Sequence, residues 1–301
     1  MKVSIVTPCY NAVATIEETI RSVLDQEGVN VEYIVADGGS TDGTADIIRR
    51  YESRLAWWVS ERDRGQVDAI NKGFTRATGD VLGFLNGDDA LTPGALKRVC
   101  ATFAAEPNAD IVHGGVEWID FEGRPLGTHL GDMNSLEDAL DIFRVWWANR
   151  QWVQPEVFYR RALKERVGGF DERYHLAFDY DFWVRCFRAG ARVARVPETL
   201  VRFRRHDAQK SVDAARANDE IRAILAGHLA TRPAIGAWTR RRLRTELDYD
   251  LYQSGRTAGD GQRPSFAAAL LRNPSWLLCA AVRRRLAGFI GKKFSARALS
   301  Q

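Results

Sequence analysis

Carboxylates in this chain stand where short apolar runs end, and the two best placed are adjacent. Leu85-Asn86-Gly87-Asp88-Asp89 follows an apolar stretch directly, and neighbouring carboxylates repel unless a cation lies between them. Oxygen ligands of this kind suit Mg²⁺ or Mn²⁺, which in turn grip phosphates. The same residues also read as a turn, with Asp88 capping a helix behind Pro93. Asp37-Gly38-Gly39-Ser40-Thr41-Asp42-Gly43 is a second such segment. Its glycines let backbone amides approach a ligand, and an acidic residue there can hold a ribose or a base edge. It matches neither GxGxxG nor GxxxxGK[ST], so the common mononucleotide loops do not account for it. A third segment, Ser60 to Gln66, brings Glu61 and Asp63 and is followed by Asp68, Asn71 and Lys72 on one helical face, which is either a ligand wall or a solvated surface. The fourth, Phe178-Asp179-Tyr180-Asp181-Phe182-Trp183, sets a carboxylate beside aromatic surface. Desolvation there raises a pKa and suits a general base, while a plain N-cap would also place an Asp at this point.

The elements that must hold these residues alternate. Val3–Thr7, Val31–Ala36, Leu55–Val59 and Val81–Leu85 read as buried strands. Between them Ile16, Ile20, Val23 and Leu24 mark one helical face, Ile47 and Ile48 belong to a helix capped by Asp42, and Gln66–Thr75 forms another. This alternation predicts an α/β fold with a mostly parallel, Rossmann-like sheet and helices on both faces, in which ligands sit beyond the strand carboxyl ends. Asp110–Ile119 and Trp152–Tyr159 read as further strands with a Trp-rich stretch between them. Phe178–Ala189 reads as a helix, and Val193–Val196 and Leu200–Phe203 as two short strands.

The 301 residues, 45% hydrophobic and 27% charged, suffice for one large α/β domain with an appendage. The net charge of +4 gives no case for nucleic-acid binding. Its distribution is uneven: residues 1–200 hold 23 Lys and Arg against 31 Asp and Glu, and residues 201–301 hold 20 against 8. An acidic body, residues 1–214, and a basic helical extension, residues 215–301, are therefore expected. Cys9, Cys100, Cys186 and Cys279 have neither metal-ligand spacing nor a disulfide pattern. No apolar run reaches the length of a membrane span, and no secretion leader opens the chain. The expectation is a cytoplasmic protein, at the inner face of the membrane if the extension binds lipid.

Taken in order, VSIVTPCYN, VADGGSTDGT, SERDRGQVDAINKG, ATGDVLGFLNGDD, GGFDERY, FDYDFWVRC and VRFRRH resemble the family-2 glycosyltransferases of GT-A fold over roughly residues 1–210. The resemblance implies inverting transfer of a sugar from a nucleotide-sugar, a UDP-sugar by expectation, to a saccharide or lipid-linked acceptor in surface polysaccharide or glycolipid synthesis. It makes Pro8, Tyr10, Asn11, Asp37, Asp68, Lys72, Asn86 and Asp88 donor contacts, and it gives Asp89 and His206 to a divalent metal, Mn²⁺ or Mg²⁺. Asp179 matches the aspartate of the family's base motif, but Phe178 stands where that motif has Glu, which leaves Asp181 as the other choice. Gln154, Trp183 and Asp181, with Trp152 and His175, are acceptor-side candidates, and each tryptophan also suits a packed core. Two rivals stand beside this reading. A sugar-1-phosphate nucleotidyltransferase would need a basic Gly-rich loop where Pro8-Cys9-Tyr10-Asn11 stands, and a non-catalytic nucleotide-sugar-binding module would fit the Phe178 departure.

The extension interleaves Phe266, Leu270, Leu271, Trp276, Leu277, Leu278, Val282, Leu286, Phe289 and Ile290 with Arg272, Arg283, Arg284, Arg285, Lys292 and Lys293. Such a helix either lies in an anionic membrane interface or packs its apolar face on protein.

Overall fold

The computed structural model describes residues 1–207, 209–210, 213–255 and 264–287. Phe289, Ile290, Lys292 and Lys293 lie outside the described residues. The chain divides into two compact units, Met1–Ile221 and Arg222–Gln301.

The first unit is built on a nine-stranded sheet of order β3-β2-β1-β4-β8-β6-β9-β5, with β7 paired to β6. β1 (Lys2–Cys9), β2 (Asn30–Asp37), β3 (Trp57–Ser60) and β4 (Val81–Phe84) are mutually parallel. In register, Cys9 lies opposite Asp37 and Asp37 opposite Ser60, so these three strands end on one line. Both faces of the sheet are covered, which is why the strands read as unbroken apolar runs. Val3, Ile5, Tyr33 and Val35 join Ile16, Ile20 and Val23 of α1 (Ile16–Leu24) and Leu96, Val99 and Phe103 of α4 (Ala95–Ala105) in one core. Val6 and Ile34, which alternate with them, meet α3 (Gln66–Phe74) on the opposite face.

Beyond β4 the sheet becomes mixed. β8 (Val157–Arg160) runs antiparallel to β4 and to β6 (Ile111–Ile119). It begins later than its apolar run suggests, because Pro155 lies in a 3-10 turn at Gln154–Glu156. The two strands expected around Pro197 are one, β9 (Val193–Arg204): it advances from Arg195 to Thr199 while β6 advances from His113 to Gly115, so the extra residues leave as a bulge. Two strands were not foreseen. β5 (Ala90–Leu91) has only two residues, and β7 (Pro125–Leu130) is exposed along most of its length. The helices α2 (Thr44–Arg50), α5 (Leu136–Leu140), α6 (Arg161–Val167) and α7 (Phe178–Arg188) complete this unit up to α8 (Ala214–Ala230), which crosses the division. Phe170 packs between Phe84, Phe178 and Phe182, with ring centroids 5.4, 5.5 and 4.6 Å away. Its backbone is held at both ends by one side chain, since Asn71 donates to Phe170 O at 2.8 Å and accepts from Phe170 N at 3.0 Å.

In the second unit, α9 (Ala237–Gln253) and α10 (Phe266–Arg272) enclose a small core of Tyr249, Tyr252, Ala269, Trp276, Cys279 and Val282. Leu271, Leu277 and Leu278 remain exposed, so the apolar residues of this segment divide between a core and the surface. Among the described residues no helix is long and apolar enough to cross a membrane.

The tightest approach of helix to sheet is at Gly73, where an added Cβ would lie 2.4 Å from Val6 Cγ1. Gly73→Leu should therefore cost about 1–3 kcal/mol or more of stability through overpacking, read as a lower urea midpoint at unchanged m-value.

Candidate active site

The site grows from the carboxyl edge of the four parallel strands. Pro8 is the penultimate residue of β1, opposite Ala36, and Tyr10 beyond it is 64% exposed. Asn11 takes a left-handed backbone (φ 49°). Its amide donates to Ser40 Oγ at 2.7 Å, and its side-chain oxygen accepts from Thr41 N at 3.0 Å. Asp42 accepts from Val13 N and Thr44 N, both at 3.0 Å, which ties the start of α2 to the same loop; the N-cap of α2 is Gly43, not Asp42 as expected. Asp37, 2% exposed, accepts from Ser40 N at 3.0 Å and from the hydroxyls of Ser40 and Ser60. Its carboxylate thus ties the loop after β2 to the end of β3. Asp63 covers Gly38 so closely that a Cβ there would fall 2.6 Å from Asp63 Oδ2. Only glycine lets that carboxylate lie along the backbone.

The three polar residues Asp68, Asn71 and Lys72 along α3 do separate jobs. Asp68 accepts from Arg64 N at 3.1 Å and pairs with its guanidinium at 2.8 Å, which holds its carboxyl below the usual range. Asn71 clamps Phe170. Lys72 pairs with Glu61 at 2.6 Å, and that bond raises its pKa. Arg64, Asp68, Glu172, His175 and Lys210 line a cleft of about 190 Å³ together with Gly65, Gln66 and Val67.

After β4 the acidic pair separates. Asp89 is 1% exposed, and burial, with Asp88 beside it, pushes its carboxyl well above the usual range. It accepts from Arg204 N at 3.0 Å and from Asn86 Nδ2 at 3.1 Å. Asn86 in turn accepts from Gln66 Nε2 at 2.7 Å and faces Gln154, whose amide donates to Phe84 O at 2.9 Å. Asp88 points outward and meets His206 Nε2 at 3.0 Å; the two side chains are 29% and 21% exposed. Arg204, 3% exposed, donates to Asp88 O at 3.0 Å, Asp120 O at 3.2 Å and Phe121 O at 2.6 Å and pairs with Glu18. Asp88 does not cap the helix behind Pro93.

Asp179 lies in the first turn of α7, with the Phe178 ring 6.1 Å from Phe84 at the end of β4. Burial, and secondarily Glu220, pushes its pKa up to about 7 despite a hydrogen bond from Tyr180 N. Asp181 is buried on another side of the helix and pairs with Arg185 at 2.7 Å. Trp183, 2% exposed, packs between Trp146 and Trp152, and Trp152 lies against His113, so both tryptophans are core residues. Arg204, Gln66 and Glu220 had no role in the sequence reading; only Arg204 and Gln66 fall within segments singled out there.

Among the described residues no group of three or more His, Cys, Asp or Glu is arranged to hold a metal ion. Asp88 and His206 nevertheless offer a carboxylate oxygen and an imidazole nitrogen side by side and accessible. That pair fits a divalent cation whose other positions are filled by phosphate oxygens and water.

A partly parallel α/β sheet with acidic loops along one carboxyl edge and a basic helical extension defines a GT-A type domain. The chain belongs to glycosyl transferase family 2, whose domain matches residues 4–168. It is 32% identical to a PGL/p-HBAD biosynthesis glycosyltransferase of Mycobacterium tuberculosis over 202 residues, 66% of this chain and 74% of that protein. It is 29% identical to an uncharacterized glycosyltransferase of Rickettsia typhi, over 75% of this chain and 71% of the relative. In fold it resembles S. aureus TarS 1-349 solved with UDP-GlcNAc (TM-score 0.64, 19% identity, 92% of this chain and 78% of that one). It spans 47% of the longer TarS chain. A mannosyltransferase from Pyrobaculum calidifontis solved with GDP-Man and Mn²⁺ is also similar (TM-score 0.57, 19% identity, 93% and 86% coverage).

Removing Arg204 strips partners from Asp88 O, Asp120 O, Phe121 O and Glu18 at once. Arg204→Met should cost about 3–5 kcal/mol in urea unfolding, and Arg202→Met, at a site 31% exposed, within about 1 kcal/mol.

Proposed function

We propose that this chain transfers a sugar from a nucleoside diphosphate sugar, a UDP-sugar, to a hydroxyl of a saccharide or lipid-linked acceptor, with inversion at the anomeric carbon. The observation that carries the reading is Asp179: a carboxylate in the first turn of α7, beside the end of β4, with a pKa of about 7. A group so poised is largely ionised just above neutrality and still basic enough to take a hydroxyl proton. In the mechanism Asp179 accepts the proton of the acceptor hydroxyl as that oxygen attacks the anomeric carbon opposite the leaving diphosphate. One displacement suffices, so the chain supplies no covalent nucleophile.

The donor lies along the carboxyl edge, against Pro8, Tyr10 and Asn11, with Asp37 holding the loop beneath it. Asp68, Lys72 and Asn86 border the same edge. A divalent cation, when bound, neutralises the charge that develops on the diphosphate. Asp88 and His206 are the residues that would hold it, since Asp89, given to the metal by the family resemblance, is committed to Arg204 and Asn86. The mannosyltransferase was solved with GDP-Man and Mn²⁺ and TarS with UDP-GlcNAc, which supports a nucleotide-sugar donor and a metal here. Gln154, held close to Asn86, borders the acceptor side. Exposed Leu271, Leu277 and Leu278 among the arginines of the extension support contact with an anionic bilayer, where a lipid-linked acceptor would reside.

Because the base acts ionised, kcat/KM should rise with pH through a midpoint near 7, the pKa of Asp179 in the free folded chain. Asp179→Asn should lower kcat about 10²–10⁴-fold with the donor Kd nearly unchanged. UDP release assayed over a panel of UDP-sugars checks this, and a collapse of donor binding instead would make Asp179 a binding residue. In calorimetry with Mn²⁺, Asp88→Ala and His206→Ala should each weaken metal-dependent donor binding by about 10-fold or more. Asp89→Asn, which alters a buried group, should chiefly lower stability.

A further inference from the structure

We propose that Glu220 is a positioning residue for the general base: a carboxylate from α8 that fixes the turn in front of α7 and, through it, Asp179. The inference rests on the reading of Asp179 as that base.

Helix α7 starts at Phe178, and its N-cap, Ala177, has no side chain that can accept a hydrogen bond. Amides at and before a helix start need partners from elsewhere. Here one carboxylate takes three in succession: Glu220 accepts from His175 N at 3.1 Å, Leu176 N at 2.8 Å and Ala177 N at 3.0 Å. Both oxygens are used, so the side chain cannot turn without releasing at least one amide. Charge-assisted bonds to backbone amides are among the stronger ones, and a negative charge at a helix N-terminus also meets the positive end of the dipole. Asp179 is the second residue of this helix, so its place follows from where the turn is pinned.

The charges around the pair are few. Arg216, one turn back on α8, lies 3.7 Å from Glu220, and Lys210 and Tyr174 are near enough to feel it. Asp181, two residues on from Asp179, has its own partner in Arg185. Glu220 is near enough for its charge to add to burial in keeping the Asp179 carboxyl basic. Place and basicity thus depend on the same side chain, and nothing local in sequence links residues this far apart.

The test compares the full-length wild type with Asp179→Asn, Glu220→Gln and Glu220→Asp. It measures UDP release from UDP-sugars as kcat and KM against pH, and hydrogen exchange at amides 175–177. In Glu220→Gln, which removes the charge and half the accepting capacity, kcat should fall about tenfold with donor KM within twofold. Its acid limb should move to lower pH, and the three amides should exchange faster. Glu220→Asp, which keeps the charge but draws it back by one methylene, should lose kcat with the limb in place. An unmoved limb in Glu220→Gln, or equal movement in both variants, overturns the proposal even where Asp179→Asn is inactive. Wild-type turnover in Asp179→Asn would instead overturn the assignment of the base itself.

Discussion

The burial of Asp89 beside Arg204 is the constraint on which the candidate site depends. A carboxylate 1% exposed is tolerable only with bonds to its oxygens, and it finds them in the Arg204 amide and the Asn86 side chain. That arrangement draws the loop after β4 onto the end of β9. The Arg204 guanidinium then takes the Asp88 carbonyl, and His206 follows two residues later beside the Asp88 carboxylate. One buried pairing sets the accessible one.

The other half of the rim follows the same logic on a smaller scale. Asp37 spends its oxygens on Ser40 and Ser60, so the loop after β2 and the end of β3 share one internal carboxylate. Asn11 and Asp42 then stitch the first loop to the second. A surface that must meet a large polar ligand is thereby preorganised without occupying its exposed groups, and Tyr10 remains free of the scaffold's packing.

The parallel half of the sheet was legible because strands covered on both faces carry unbroken apolar runs, and the polar residues at their ends stand out. The family resemblance covered the rim for the same reason. What escaped were features decided by distant partners. β7 is exposed along most of its length and has no apolar signature, and β9 reads as two strands until β6 absorbs its bulge. Asp88 and Asp89 are the same residue type side by side, and which one turns inward depends on an arginine 115 residues further on. Asp179 and Asp181 pose the same ambiguity on a helix. There the fourth residue beyond Asp181, Arg185, is visible in the sequence and marks Asp181 as the structural one. Glu220 carries no local signal at all.

The double bond from Asn71 to Phe170 bears on how relatives of this chain can diversify. With amide and carbonyl of one residue locked to α3, the turn between α6 and α7 is measured off to the residue, and a single insertion there would slide the aromatic plug out of its socket. Length variation is tolerated where no such clasp exists. The fold thus confines evolutionary remodelling to its outer margin and keeps constant the distance between α3 and α7.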